Sequence, residues 1–135
     1  MKKDLSIFIL RAGLGLMMAL GHGLGKLIQL ASGIIKFPEV LFIPKEVALV
    51  LAVLAEFFAA LAVAIGFKTR LASLPVIITM AVAAFVVHAN DAFFMANAGD
   101  GGSKEMAVIY LIAFAAIALL GSGKYSADYL FKKRK

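Results

Sequence analysis

Ionisable side chains inside or beside long apolar segments are the residues with the clearest capacity for chemistry in this chain. Charge is costly in such surroundings and is usually retained for function. The six candidates are Arg11, His22, Lys26, Glu56, His88 and Glu105. Imidazole and carboxylate groups can exchange protons or hydrogen-bond a ligand, and a buried cation can balance a carboxylate. We therefore assign Glu56, His22 and His88 as candidate catalytic groups, and Arg11, Lys26 and Glu105 as candidate substrate-binding groups.

The first apolar segment carries three of these side chains on one helical face. At about 100° per residue, Arg11 and His22 lie within roughly 20° of a common line, and Lys26 follows one turn after His22. We expect this polar stripe to face other helices rather than lipid. The alternative is that Arg11 and Lys26 extend their long side chains to opposite membrane interfaces, which the shorter His22 cannot do.

Glu56 is the sharpest single candidate, because it lies near the middle of an uninterrupted apolar run. It continues a row of small residues spaced four apart, formed by Ala48, Ala52, Ala60 and Ala64, and such a row allows another helix to approach closely. A carboxylate at this depth must be protonated or find a cation. The structural alternative to a functional role is a buried ion pair with an arginine or a lysine, here Arg11 or Lys26, that fixes the helix register.

His88 and Glu105 lie at the ends of the third and fourth apolar segments. If the apolar segments cross the membrane in alternating directions, both lie at the same end of the bundle as His22 and Lys26, with Glu56 at mid-depth. We expect these groups to form one polar pocket beneath the two long loops. For Glu105 the alternative is a carboxylate that only complements the helix dipole, and for His88 it is a hydrogen-bonded interface histidine.

Several more specific chemistries find no support in the sequence. The glycine-rich stretch 21–26 resembles a phosphate loop, but Leu20 and Leu27 break the Walker pattern. Its glycines are instead expected to permit close helix packing or a local helix distortion. No spacing typical of a metal site or motif typical of haem or flavin binding occurs, so we predict no metal and no covalent cofactor. The absence of cysteine excludes disulfides and thiol chemistry by the chain itself.

The elements that must position these groups are membrane spans. The chain has 135 residues, of which 63% are hydrophobic and 16% charged, with a mean hydropathy of +0.98. Such a composition is far more apolar than that of a soluble domain. Residues 1–135 therefore form one all-α domain, a polytopic membrane protein with a bundle of four transmembrane helices. The predicted spans are about 5–30, 47–67, 71–89 and 105–121.

Basic residues set the predicted orientation. The richer side holds Lys2, Lys3, Lys68, Arg70, Lys124, Lys132, Lys133, Arg134 and Lys135. This side should be cytoplasmic, which places both termini inside the cell and both long loops outside. The net charge of +6 thus reflects topology and contact with lipid headgroups, and no nucleic-acid partner is expected.

Short motifs along nearly the whole chain resemble the DoxX family of small bacterial inner-membrane proteins. They are Arg11-Ala-Gly-Leu-Gly and residues 21–27 in the first span, Glu56 with the stretch to residue 72 in the second, His88, and residues 121–128 after the fourth. The resemblance implies a four-helix membrane bundle in the bacterial inner membrane. It also implies an association with quinone-linked redox processes, since relatives include a membrane subunit of thiosulfate:quinone oxidoreductase.

Two functions therefore remain open at the level of sequence. The first is a redox-associated membrane protein that binds a quinone or similar small apolar molecule in a polar pocket open to the outer side. It would work with a partner oxidoreductase subunit, and the sequence leaves open whether the chain catalyses a step itself. The second is a non-enzymatic transporter or scaffold whose buried charges line a solute or proton path or fix helix packing. A transporter of this kind would need homo-oligomerisation to form a pore.

Overall fold

The computed structural model describes residues 2–133, and the regular secondary structure in this range consists of helices. Within that range there are five helices of seven or more residues, one short 3-10 helix (Met95–Asn97) and no β-strand. The helices are α1 (Lys2–Ser32), α2 (Lys45–Ile65), α3 (Thr69–Val87), α4 (Glu105–Leu120) and α5 (Ala127–Lys133). The first three are long and apolar enough to cross a membrane, and α4 is apolar but has only 16 residues. The chain is therefore a helical membrane protein.

The four longer helices pack side by side around one apolar core. Helix α1 lies against α2, α2 against α3, α3 against α4, and α4 returns to α1. Core side chains include Met18, Val63, Val76 and Phe114, one from each of these helices and each no more than 1% exposed. The bundle thus closes on itself, and its outer surface is rich in exposed apolar side chains suited to lipid.

The bundle has two unlike ends. The basic end carries the short α2–α3 connection with Lys68, the chain after α4, and helix α5. Here the Asp128 carboxylate accepts hydrogen bonds from the backbone amides of Lys68 and Thr69, at 2.8 and 3.3 Å, and so caps α3. The loop end carries the two long connections, 33–44 and 88–104. Arg134 and Lys135, which contribute to the predicted basic side, lie outside the described residues.

Each of the first three helices contains a π-helical turn: Ala19–Gly23 in α1, Leu54–Ala59 in α2 and Ala83–Val87 in α3. A π turn is equivalent to one residue inserted into an α-helix, and such turns are frequent at functional sites. Glu56 lies within the second of these turns, and His88 directly follows the third. The sequence predicted a local distortion near the glycines of α1, and that distortion is present.

Small residues allow α1 and α2 to approach closely, as the sequence predicted. A Cβ atom on Gly15 would lie 2.8 Å from the Ala60 carbonyl oxygen and 2.9 Å from the Ala64 Cβ. A Cβ atom on Gly23 would lie 2.6 Å from the Glu56 carbonyl oxygen. Since such distances are far below van der Waals contact, only glycine fits at either place. This contact fixes the depth of Glu56 relative to α1.

Candidate functional site

A cavity of about 440 Å³ lies between α2 and α3 at the loop end, covered by the connection 33–44. Most of its lining is apolar. The ionisable side chains that line it are Lys26, Glu56 and His88, and Thr79 adds a hydroxyl group. An apolar cavity of this size with a few convergent polar groups is typical of a small-molecule site.

Lys26 and Glu56 form an ion pair across the interface of α1 and α2. The Lys26 Nζ lies 2.5 Å from the Glu56 Oε2. The Glu56 side chain is only 4% exposed and that of Lys26 is 21% exposed. Burial of a carboxylate requires a partner of this kind, because an unpaired charge would carry a large desolvation cost. The close approach at Gly23 brings the two helices near enough for the pair to form.

His88 ends α3 and forms a second polar pair, this time with Asp91. The His88 Nδ1 lies 2.6 Å from the Asp91 Oδ2, and both side chains are partly exposed. Asp91 does not line the cavity, so the pair extends from the cavity wall toward the loop surface. Asp91 was not among the candidate residues predicted from the sequence. Its signal was a carboxylate three residues after a histidine at a helix end, a spacing that lets the two side chains meet.

Two apolar residues of the cavity lining are exposed on the outside of the bundle. Leu51 of α2 and Ile78 of α3 both line the cavity and are 50% and 64% exposed, respectively. Exposed apolar side chains at this depth face the lipid of a membrane protein. The cavity wall therefore borders the lipid-facing surface between α2 and α3.

Arg11 lies at the basic end, outside the cavity lining, and is completely buried. Its Nε donates to the Ser122 carbonyl at 3.0 Å and its Nη1 to the Val63 carbonyl at 3.2 Å. The guanidinium also donates to the carbonyls of Ala64 and Tyr125. It thus joins three parts of the chain, namely α1, the end of α2 and the segment after α4. We call this group of contacts the Arg11 clamp.

His22 and Glu105 also lie outside the cavity lining. The His22 ring packs edge-to-face against Tyr110 of α4, with ring centroids 5.4 Å apart. The Glu105 Oε2 accepts a hydrogen bond of 2.8 Å from the Met95 backbone amide and so holds the loop 88–104 against the start of α4. Of the six residues selected from the sequence, the cavity therefore brings together three: Lys26, Glu56 and His88.

The arrangement has the chemistry of a hydrogen-bonding site. No group of three or more histidine, aspartate or glutamate side chains suited to a metal ion comes together among residues 2–133. The cavity instead offers a cation, a carboxylate and an imidazole at its wall. These groups can donate to, accept from and exchange protons with the oxygen atoms of a small ligand.

Comparison with known proteins gives a family for this chain. No curated protein and no solved structure matches it significantly. A family model described as DoxX matches residues 6–89. The match covers well over half of the chain and includes α2, α3, nearly all of α1 and the three ionisable residues of the cavity. The chain therefore belongs to the DoxX family.

Proposed function

We propose that this protein binds a quinone, or a similar small apolar molecule with polar oxygens, in the cavity between α2 and α3. The ligand's oxygens lie against Lys26, Glu56 and His88, and its apolar body lies against the α2 and α3 side chains. The single observation that carries the proposal is that one mainly apolar cavity joins these three ionisable side chains and borders the lipid-facing surface of the bundle.

The polar groups match the ligand class. A quinone carbonyl accepts a hydrogen bond from a group such as the Lys26 ammonium, whereas the hydroxyl of its reduced form donates to a carboxylate or a neutral imidazole. A ligand of this class partitions into lipid and would reach the site from the bilayer, past Leu51 and Ile78. Electron transfer is the task of a partner oxidoreductase subunit, because the sequence carries no haem or flavin motif.

The proposal includes a membrane topology. We place α1 to α4 as four spans with both termini in the cytoplasm of a bacterium and the loop end on the outer side of the inner membrane. Support comes from the lysine and arginine residues gathered at the basic end. At 1.5 Å per residue, the 16 residues of α4 extend roughly 24 Å, so this helix needs adjacent turns or local bilayer thinning to cross.

Ligand binding is tested with the purified protein in phosphatidylcholine nanodiscs. Decyl-ubiquinone should raise the thermal midpoint, measured by circular dichroism at 222 nm because the chain has no tryptophan. Glu56→Gln should weaken the affinity roughly tenfold, the effect of losing a charge-assisted hydrogen bond. Glu105→Gln is the matched control, since it makes the same chemical change outside the cavity.

The comparison uses the ligand-induced shift of each variant relative to its own ligand-free midpoint. Loss of the shift in Glu56→Gln, with retention in Glu105→Gln, supports the proposal even if Glu56→Gln is less stable. Absence of any shift in the wild-type protein, across a concentration series that saturates the nanodisc lipid, rejects quinone binding.

A second candidate function has its own support. The Lys26–Glu56 pair and the Arg11 clamp satisfy their charges within the bundle, as expected of a transporter or scaffold that uses buried charge to fix packing. Proton or solute flux into proteoliposomes that is lost in Glu56→Gln would favour transport. Reduced stability of Glu56→Gln, with neither flux nor ligand binding in the wild type, would favour a scaffold.

A further inference from the structure

The His88–Asp91 pair connects the cavity to the loop surface. His88 lines the cavity, and its Nδ1 lies 2.6 Å from the Asp91 Oδ2. Of the two ring nitrogens of His88, only Nδ1 has a hydrogen-bond partner among residues 2–133. The second nitrogen, Nε2, is therefore the ring atom left for a ligand.

The chemistry of Asp91 determines what Nε2 can do. An ionised carboxylate only accepts hydrogen bonds, so a neutral imidazole that pairs with it must carry its proton on Nδ1. The Nε2 of that tautomer has a lone pair and accepts a hydrogen bond. Carboxylates fix the tautomer and orientation of metal-binding and catalytic histidines in the same way.

We infer that Asp91 is a positioning residue that makes His88 a hydrogen-bond acceptor, so that the cavity prefers a ligand with a hydroxyl group at this point over one with a carbonyl. For the ligand class of the proposed function, on which this inference rests, the preferred form is the quinol rather than the quinone. A carbonyl oxygen at the same point would meet the Nε2 lone pair and leave both acceptors without a donor.

A close backbone contact holds the pair in place. A Cβ atom on Gly102 would lie 2.4 Å from the Asp91 Oδ2 and 3.5 Å from the His88 Nδ1. The loop therefore passes directly against the Asp91 carboxylate, and a methyl group at residue 102 would require that carboxylate to shift. Lys104 adds a tie between the same loop and the end of α3, since its Nζ donates to the Ala89 carbonyl at 2.8 Å.

The test measures the affinities of decyl-ubiquinol and decyl-ubiquinone for the protein in phosphatidylcholine nanodiscs, under argon and at pH 8.5. The wild-type protein should bind the quinol roughly tenfold more tightly, which corresponds to one hydrogen bond gained against one acceptor left unpaired. The dimethyl ether of the quinol, which cannot donate, should bind as weakly as the quinone.

Asp91→Asn should reverse or abolish this preference. The asparagine amide can donate to Nδ1, which moves the ring proton to Nε2 and makes that atom a donor to a carbonyl. Asp100→Asn is the matched control, since Asp100 is an exposed carboxylate in the same loop. Gly102→Ala is a second variant that displaces the Asp91 side chain without changing any charge, and it should also reduce the preference for the quinol.

The outcomes separate this inference from the proposed function. Binding of both forms by the wild type with equal affinity, or a ratio unchanged in both Asp91→Asn and Gly102→Ala, overturns the role of Asp91 but leaves the proposed function standing. Binding of neither form rejects the proposed function, and the inference with it. A ratio that changes equally in Asp100→Asn shows an effect of loop charge and also overturns the inference.

Discussion

Replacement of Arg11 tests whether this residue holds the bundle together or binds a ligand. The sequence placed it among the substrate-binding residues, whereas the fold places it at the basic end, completely buried and outside the cavity. We consider Arg11→Met, which removes the donors and the charge, and Arg11→Lys, which keeps the charge but has one nitrogen in place of a planar guanidinium.

The size of the effect follows from the carbonyl groups left without a partner. In Arg11→Met the Val63 carbonyl keeps its bond from the Gly66 amide at 3.0 Å. The carbonyls of Ala64, Ser122 and Tyr125 lose the guanidinium. At about 1 kcal/mol for each unpaired carbonyl, the loss is about 3 kcal/mol. For a chain of this size that corresponds to a midpoint roughly 12 °C lower. Arg11→Lys should lose about half as much, because a single ammonium cannot reach all three carbonyls.

The assay is thermal unfolding in nanodiscs followed by circular dichroism at 222 nm, with and without decyl-ubiquinone. Arg70→Lys is the matched control, since Arg70 is exposed and has a single long contact of 3.5 Å to the Leu119 carbonyl. This control should change the midpoint by less than about 2 °C. The ligand-induced shift should survive in Arg11→Lys. An Arg11→Met midpoint as high as that of Arg70→Lys, or loss of the ligand shift in a folded Arg11→Lys protein, would refute this account of Arg11.

Three further predictions concern packing and charge. Gly23→Ala should lower the thermal midpoint by roughly 8 °C, because its methyl group forces α1 away from α2 at a cost of about 2 kcal/mol. Gly25→Ala is the control and should be neutral or slightly stabilising, since no atom lies within 4 Å of the new methyl group. Equal effects of the two substitutions would contradict the packing argument. Asp128→Ala should cost about 1 kcal/mol through loss of the cap on α3, measured as the midpoint, and an unchanged midpoint would show that water replaces the cap. Lys26→Met and Glu56→Gln should each lower the free energy of unfolding, and the double variant should lose less than the sum of the two single losses. Additive losses would show that the two side chains are not coupled.

The helices were predictable from the sequence because their ends are marked by local features. Apolar runs of about 20 residues bounded by charged residues predicted segments 47–67 and 71–89, and the helices span Lys45–Ile65 and Thr69–Val87. The small-residue row of α2 likewise predicted a close helix contact. Both kinds of signal depend on residues near one another in the chain, which is why sequence alone carries them.

The sequence limited the partner of Glu56 to Arg11 or Lys26 but did not choose between them. The argument that Arg11, His22 and Lys26 share one face assumed about 100° per residue throughout. His22 lies within the π turn Ala19–Gly23, where that spacing does not hold, and it packs against Tyr110 of α4. Arg11 and Lys26 both contact α2, but they are roughly 22 Å apart along α1, so Lys26 meets Glu56 and Arg11 meets the opposite end of α2.

The polar contacts made by loop residues were also beyond sequence reasoning. Asp91 meets His88 because α3 ends there and the chain turns, and Gly102 returns to this pair from eleven positions further along the chain. Such meetings depend on how a loop folds over the end of a bundle. No periodicity in the sequence encodes them.

The π turns also determine how chain length relates to shape in this molecule. In a uniform α-helix, deleting one residue rotates everything after the deletion by about 100° relative to everything before it. Within Leu54–Ala59 the π turn already holds one additional residue, so the same deletion would restore a uniform α-helix and leave Ala60 and Ala64 facing Gly15. A relative that is one residue shorter at this point would therefore present the same face of the helix to its neighbours. Alignments of such sequences therefore need gaps inside the spans as well as in the loops.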